Sequence, residues 1–237
     1  MISGISDRPC LVVKDLSKTF TIHALGTHIN ACSALALRVE HGEFAGITGR
    51  SGSGKSTVLR MLYRSYLPEA GSIDYDSAAF GPVDLATLDE RKMLFLRRHE
   101  IGYVSQFLQL MPRTTAREAI AHAVVEAGGD PEAASREASR MLEHFELDRS
   151  LWDSYVQTFS GGEKLRLNIA RAMVTHPRLL LLDEPTASLD NSSKLRVRQL
   201  IEGLKAEGTT MVGIFHDLEF MQGLCDKTYT MAEGRIA

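Results

Sequence analysis

An α/β layered fold around a largely parallel sheet is predicted by two features of the sequence. Short β-like runs alternate with stretches of helical periodicity, the order in which strand–helix–strand units are built. Four successive leucines, Leu179 to Leu182, form an apolar run without alternation, as expected of a central strand buried on both faces. The 237 residues suffice for one large domain, or one with a subdomain, and for a substantial core.

Strands are expected at Leu11 to Lys14, Leu35 to Val39, Phe44 to Thr48, Ile101 to Val104, Leu179 to Leu182 and Thr210 to Phe215. Between Thr115 and Phe145 the pattern is helical and alanine-rich. Gly128-Gly129-Asp130-Pro131 interrupts it as a turn with proline near a new helix start, so two helices forming a subdomain are predicted. In Asn191 to Ala206, Val197, Leu200, Ile201 and Leu204 share one helical face, and Asp190 or Ser192 is placed to cap the start. Lys227 to Ala237 reads as a strand, a Glu233-Gly234 turn and a stub, and no internal repeat is visible.

Composition narrows the function. Hydrophobic residues at 44% and charged residues at 24% exclude a disordered chain. A net charge of −3 is far from that of a general nucleic-acid binder, so no nucleic-acid partner is expected. The leucine run ends at Asp183, well short of the roughly 20 residues that cross a bilayer. No charged n-region with a cleavable apolar core begins the chain, which predicts a cytoplasmic location. Cys10, Cys32 and Cys225 have neither disulfide-framework nor zinc-site spacing and are expected to be reduced thiols.

The most specific motif is Gly49-Arg50-Ser51-Gly52-Ser53-Gly54-Lys55-Ser56, which fits G-x-x-x-x-G-K-[ST] directly after a predicted strand, with Thr57 to Tyr63 continuing as a helix. Its glycines let the backbone curl so that successive N–H groups point at phosphate oxygens, and the helix N-terminus adds a favourable dipole. Lys55 is placed to reach the β- and γ-phosphates, and the Ser56 hydroxyl to ligate Mg²⁺, a cation that prefers oxygen.

Asp183 and Glu184 end the leucine strand at the carboxyl edge, where α/β proteins place ligands. Alternation sends the two side chains in different directions. Asp183 is therefore read as the magnesium-shell residue, and Glu184 as the general base polarising the water that attacks the γ-phosphate. His216 also follows a strand end and is placed to hold the γ-phosphate or that water. The histidines at 23, 28, 41, 99, 122, 144 and 176 lack metal-ligand spacing. Ser160-Gly161-Gly162-Glu163, before the helical run Lys164 to Val174, is a second glycine-rich helix start and a second potential anion site.

With these motifs in hand, the sequence resembles the ATP-binding-cassette (ABC) ATPase family over essentially its whole length. The phosphate loop, Gln106, Ser160-Gly161-Gly162, Asp183-Glu184, Ser188-Leu189-Asp190 and His216 stand in the family's order. The resemblance implies a P-loop NTPase fold with a mostly parallel core sheet, an N-terminal antiparallel β subdomain and an inserted α-helical signature subdomain. Residues 1–105 and 176–237 would form the RecA-like core with the β subdomain, and about 106–175 the helical subdomain. It also implies a head-to-tail dimer with a second ABC subunit, identical or related. Ser160, Gly161, Gly162 and Glu163 of one copy would close over ATP held by the Gly49 to Thr57 loop of the other. Gln106 would join the Mg²⁺ and water shell, and Asp190 would contact the opposing copy. Phe20 stands where the family carries an adenine-stacking aromatic, while an ordinary strand-end core phenylalanine remains the other reading. Glu163 replaces the commoner glutamine, and Phe215 precedes His216 where threonine is commoner.

Three stretches, Leu62 to Pro68, Ile101 to Leu108 and Gly213 to Asp217, resemble the L-type ATP-binding subunit of the bacterial carbon-phosphorus lyase system, which implies lyase core subunits as partners. Leu110-Met111-Pro112 and Thr115-Ala116-Arg117-Glu118 are similar to lipoprotein-release and macrolide-export cassettes, implying the alternative of a transporter ATPase with a membrane partner. Phe107, Leu108, Leu110 and Met111 would either grip that partner or pack the subdomain. Without heptads or cysteine pairs, the chain lacks the insertions of DNA-repair and chromosome-organising cassettes.

Overall fold

A computed structural model describes residues 8–22, 26–106, 108, 110–186, 189–215 and 217–236. Strands β1 (Leu11–Ile22), β2 (Thr27–Val39), β4 (Ala70–Ser77) and β5 (Gly81–Asp84) form an antiparallel sheet in the order β2-β1-β4-β5. A second sheet has the order β10-β9-β3-β8-β7-β6, from β3 (Phe44–Gly49), β6 (Ile101–Val104), β7 (Leu179–Asp183), β8 (Thr210–Ile214), β9 (Lys227–Ala232) and β10 (Arg235–Ile236). All of its pairings are parallel except β10 with β9.

The leucine run behaves as its pattern requires. Leu179 and Leu181 pack into a core with the antiparallel sheet and helix α1 (Lys55–Leu62), whereas Leu180 and Leu182 pack into the core of the helical side. β7 is interior but not at the middle of the sheet: β3 and β8 lie deeper, and β6 forms the edge beside β7. Strands β3, β6, β7 and β8 therefore open at the same carboxyl edge, because their ladder is parallel.

Helices α3 (Ala116–Glu126) and α4 (Pro131–His144) flank the expected turn. Gly128 adopts φ 84°, Asp130 caps α4 and Pro131 occupies its first turn. Helix α5 (Gly161–Met173) packs between this pair and the sheet, and α6 (Asn191–Ala206) starts from the Asp190 cap. Leu108 and Leu110 pack onto the helical core, while Met111 is 77% exposed. The packing reading thus holds for the two leucines, and Phe107 lies outside the described residues.

The expected strands at 11 and 35 extend much further than their apolar stretches. β1 and β2 continue as a long hairpin through Thr19, Phe20, Thr21, His28 and Asn30, with bulges after Val13. β4, β5 and α2 (Glu90–His99) went unread in the sequence. β4 alternates but offers only Ile73 and Tyr75 as large apolar residues, and α2 buries just Met93 and Leu96 among charged neighbours. Glu100 joins these parts to the core: its buried carboxylate accepts from Tyr75 Oη, Ser77 Oγ, Ala78 N and Ala79 N at 3.0–3.1 Å. The three cysteines are free thiols, with burial pushing Cys10 and Cys225 up to about 12. Among the described residues no helix is long and apolar enough to cross a membrane.

Candidate nucleotide and hydrolysis site

The glycine-rich loop runs from the end of β3 into α1, as its spacing predicts. Gly49, Gly52 and Gly54 all take positive φ, of 139°, 78° and 100°. At Gly54 a Cβ would collide with the Ala31 carbonyl of β2, so the chain reaches the helix start only with glycine there. Gly54 offers no side-chain cap, which leaves the first amides of α1 without a side-chain acceptor. Ser53 Oγ is buried without a hydrogen-bond partner among the described residues. An uncapped helix start with an orphaned hydroxyl beside it is a donor cradle, and it fits a phosphate group.

Lys55 is 4% exposed and folds back over the loop, donating to the carbonyls of Gly49 at 2.9 Å and Arg50 at 2.8 Å. Burial holds its ammonium below the ordinary lysine value, against the opposing pull of Glu184 and Asp183. Arg50 and Ser51 are exposed at the tip, and Thr57 is half-buried in the first turn of α1.

The serine and the acid assigned to magnesium meet directly. Ser56 Oγ donates to Asp183 Oδ1 at 3.1 Å, from α1 to the end of β7. Tyr103 Oη, on β6, donates to Asp183 Oδ2 at 2.7 Å. Burial and that carboxylate push the Tyr103 phenol above its ordinary value, while Arg60 opposes them. An all-oxygen set of Ser56 and Asp183 suits a hard divalent cation with retained waters. Glu184, half-buried, takes φ 50°, a left-handed conformation rare outside glycine, and its carboxylate, like that of Asp183, acts on the Lys55 ammonium. Gln106 is exposed and borders a cavity of about 380 Å³ together with Ser56, Tyr103 and Asp183.

Gln106 also borders a second cavity of about 370 Å³, lined by Gly161, Lys164, Asn168 and Pro185. There α5 begins with a reciprocal cap: Glu163 N donates to Ser160 Oγ at 3.3 Å, and Ser160 N to Glu163 Oε2 at 2.7 Å. Glutamate in place of glutamine thus serves as an ordinary capping acceptor. Asp190 accepts from Ser192 Oγ, Ser193 N and Ser193 Oγ, bonds that hold its carboxyl well below the usual range. Ser160 to Glu163 therefore lie at a helix start separate from the phosphate loop, next to the Asp190 turn. Phe20 is half-buried and meets Tyr66 edge-on at 5.3 Å, within an aromatic cluster that Arg60 closes by donating to Tyr66 Oη. His216 and Ser188 lie outside the described residues.

Two contributors had no assignment in the sequence. Tyr103 reaches Asp183 only because β6 and β7 pair in the register Tyr103 with Leu181, a long-range fact. Asn168, buried on α5, donates to the Ser105 carbonyl at 3.0 Å and so links that helix to the residue before Gln106. A buried polar residue inside an apolar helical face was the available signal for it.

Comparisons with known proteins agree with this geometry. The family model described as "ABC transporter" matches residues 32–187. The chain is 33% identical over 227 residues to the lipoprotein-releasing system ATP-binding protein LolD 2 of Chlorobium chlorochromatii, covering 95% of this chain and 93% of that protein. It is 34% identical over 230 residues to the methionine import ATP-binding protein MetN 2 of Paraburkholderia xenovorans, of which it spans only 58%. A solved dimeric structure of the bacterial ABC transporter cassette MJ0796 superposes with a TM-score of 0.86 at 28% identity, covering 95% of this chain and 96% of that one. Another structure of that cassette, bound to ADP and Pi, superposes with a TM-score of 0.85.

Proposed function

The chain belongs to the ABC transporter family of ATP-binding cassettes, and from that premise we propose that it is the ATP-hydrolysing subunit of a transporter, acting on a membrane-embedded partner from the cytoplasmic side. It is an ABC ATPase that uses ATP with Mg²⁺. The amides of the Gly49 to Ser56 loop, the Ser53 hydroxyl and Lys55 bind the triphosphate, and Glu184 takes a proton from the attacking water. Magnesium, held by Ser56 and Asp183, with Gln106 beside them, would neutralise charge on the terminal phosphates. Ser160, Gly161, Gly162 and Glu163, with Asp190, close the site from a second cassette. Residues 106–175 move as the helical unit against a core of 1–105 and 176–237, with Gln106 at the join. His216 holds the γ-phosphate or the water, and Phe20 flanks the base.

The observation that carries the transporter role is the near end-to-end match with a lipoprotein-releasing ATPase. The relatives reported are transporter ATPases, which favours this reading over a subunit of the carbon-phosphorus lyase system. The lyase reading is supported by the resemblance of the 62–68, 101–108 and 213–217 stretches alone. Affinity purification of the tagged chain from detergent-solubilised membranes of phosphonate-grown cells tests the choice. The transporter reading expects a membrane-spanning permease to accompany it. Recovery of soluble lyase subunits with no membrane protein would overturn that reading.

A further inference from the structure

We propose that Tyr103 is a positioning residue for the magnesium-binding carboxylate: its phenol holds Asp183 by one oxygen so that the other stays beside Ser56. The inference rests on the reading of Asp183 as the metal's carboxylate.

The two hydroxyls divide the carboxylate between them. Ser56 Oγ lies 3.1 Å from Oδ1 and Tyr103 Oη 2.7 Å from Oδ2. The terminal torsion of an aspartate is soft and roughly two-fold, so a carboxylate with a single partner swings freely between orientations. A short O–H···O⁻ bond on the far oxygen removes that freedom. Were a divalent cation held by Ser56 and Asp183, the serine oxygen would offer it a lone pair and give up its hydrogen bond to Oδ1. The Tyr103 bond sits on the other oxygen and survives.

The phenol is itself fixed. Its backbone is locked in the parallel ladder opposite Leu181, two residues before Asp183, and its ring rests on Tyr63 at a centroid distance of 4.8 Å. β6 then leads to Gln106 three residues later, and one cavity is lined by Ser56, Tyr103, Gln106 and Asp183. The orientation of the metal's carboxylate is thus tied to the strand that delivers Gln106. Hydrogen-bond partners of this kind typically change metal affinity by about 10–100-fold when removed.

The test titrates Mn²⁺, followed by electron paramagnetic resonance, into protein loaded with a non-hydrolysable ATP analogue. Wild type, Tyr103→Phe and Asp183→Asn are compared, and analogue affinity without metal is measured in parallel. Tyr103→Phe is expected to weaken Mn²⁺ binding by about tenfold while metal-free analogue affinity stays within about twofold. Unchanged Mn²⁺ affinity in Tyr103→Phe, with weakened binding in Asp183→Asn, would overturn the role of Tyr103 and leave the Asp183 reading standing. Equal loss of metal-dependent and metal-free binding in Tyr103→Phe would likewise overturn it. Unchanged Mn²⁺ affinity in Asp183→Asn would overturn both.

Discussion

Gly162 lies so close to Ser193 that a Cβ on the glycine would stand 2.9 Å from the serine Oγ and 3.2 Å from its Cβ. That same Oγ donates to Asp190 at 2.9 Å. The start of α5 and the Asp190 turn are therefore one packed unit within a single chain. Gly162→Ala requires the Ser193 side chain to shift and is expected to disturb its bond to Asp190. The expected result is a folded protein, by circular dichroism and thermal melting, whose ATP turnover falls at least tenfold.

Lys55 donates to the carbonyls of Gly49 and Arg50, and the proposed role in binding the triphosphate requires those two bonds to be exchanged for phosphate oxygens. Lys55→Ala removes a charged donor worth about 1.5–3 kcal/mol and is expected to weaken ATP binding by roughly tenfold to a hundredfold, measured by isothermal titration calorimetry.

The pH dependence of the same lysine follows from burial. Its pKa in the folded chain lies below the 10.5 of an exposed lysine. Between the two values the unfolded chain binds more protons than the folded one, so the Lys55 contribution to stability rises with pH across that window. A bound triphosphate pulls the pKa back up. ATP binding just below pH 10.5 is therefore expected to take up protons, seen as a dependence of binding heat on buffer ionisation enthalpy, and Lys55→Ala should abolish it.

Glu100 accepts from two hydroxyls and two amides in a buried position. Glu100→Gln sets an amide NH₂ against those donors and is expected to destabilise the fold by about 1–3 kcal/mol in urea unfolding. Because the contact ties the antiparallel sheet to β6, the loss should be accompanied by faster hydrogen exchange at Ala78 and Ala79.

Motifs whose chemistry lies in contiguous residues were legible from sequence. The phosphate loop, the Ser160 to Glu163 helix start, the Asp190 cap and the four-leucine strand all have local signatures, set by φ, capping or burial period. What escaped depends on distant partners. The outer halves of β1 and β2 mix polar residues with Phe20, Ile22 and Ile29, and their strand character is tied to their pairing with each other. α2 has too narrow an apolar stripe to register as a helix. Tyr103 and Asn168 owe their places to strand register and helix packing, which no spacing along the chain encodes. The leucine strand's position beside an edge, instead of at the sheet centre, has the same origin: burial on both faces fixes the layers, not the strand order.

If two cassettes close over Mg-ATP and reopen on hydrolysis, the mass of Glu184→Gln in solution reports it. Loss of the base is expected to slow turnover by about 10²–10⁴ while sparing binding. Light scattering after gel filtration should then show twice the chain mass with Mg-ATP and a single chain without it. A Glu184→Gln protein that carries ATP yet stays at the mass of one chain would mean that two copies do not close over the nucleotide.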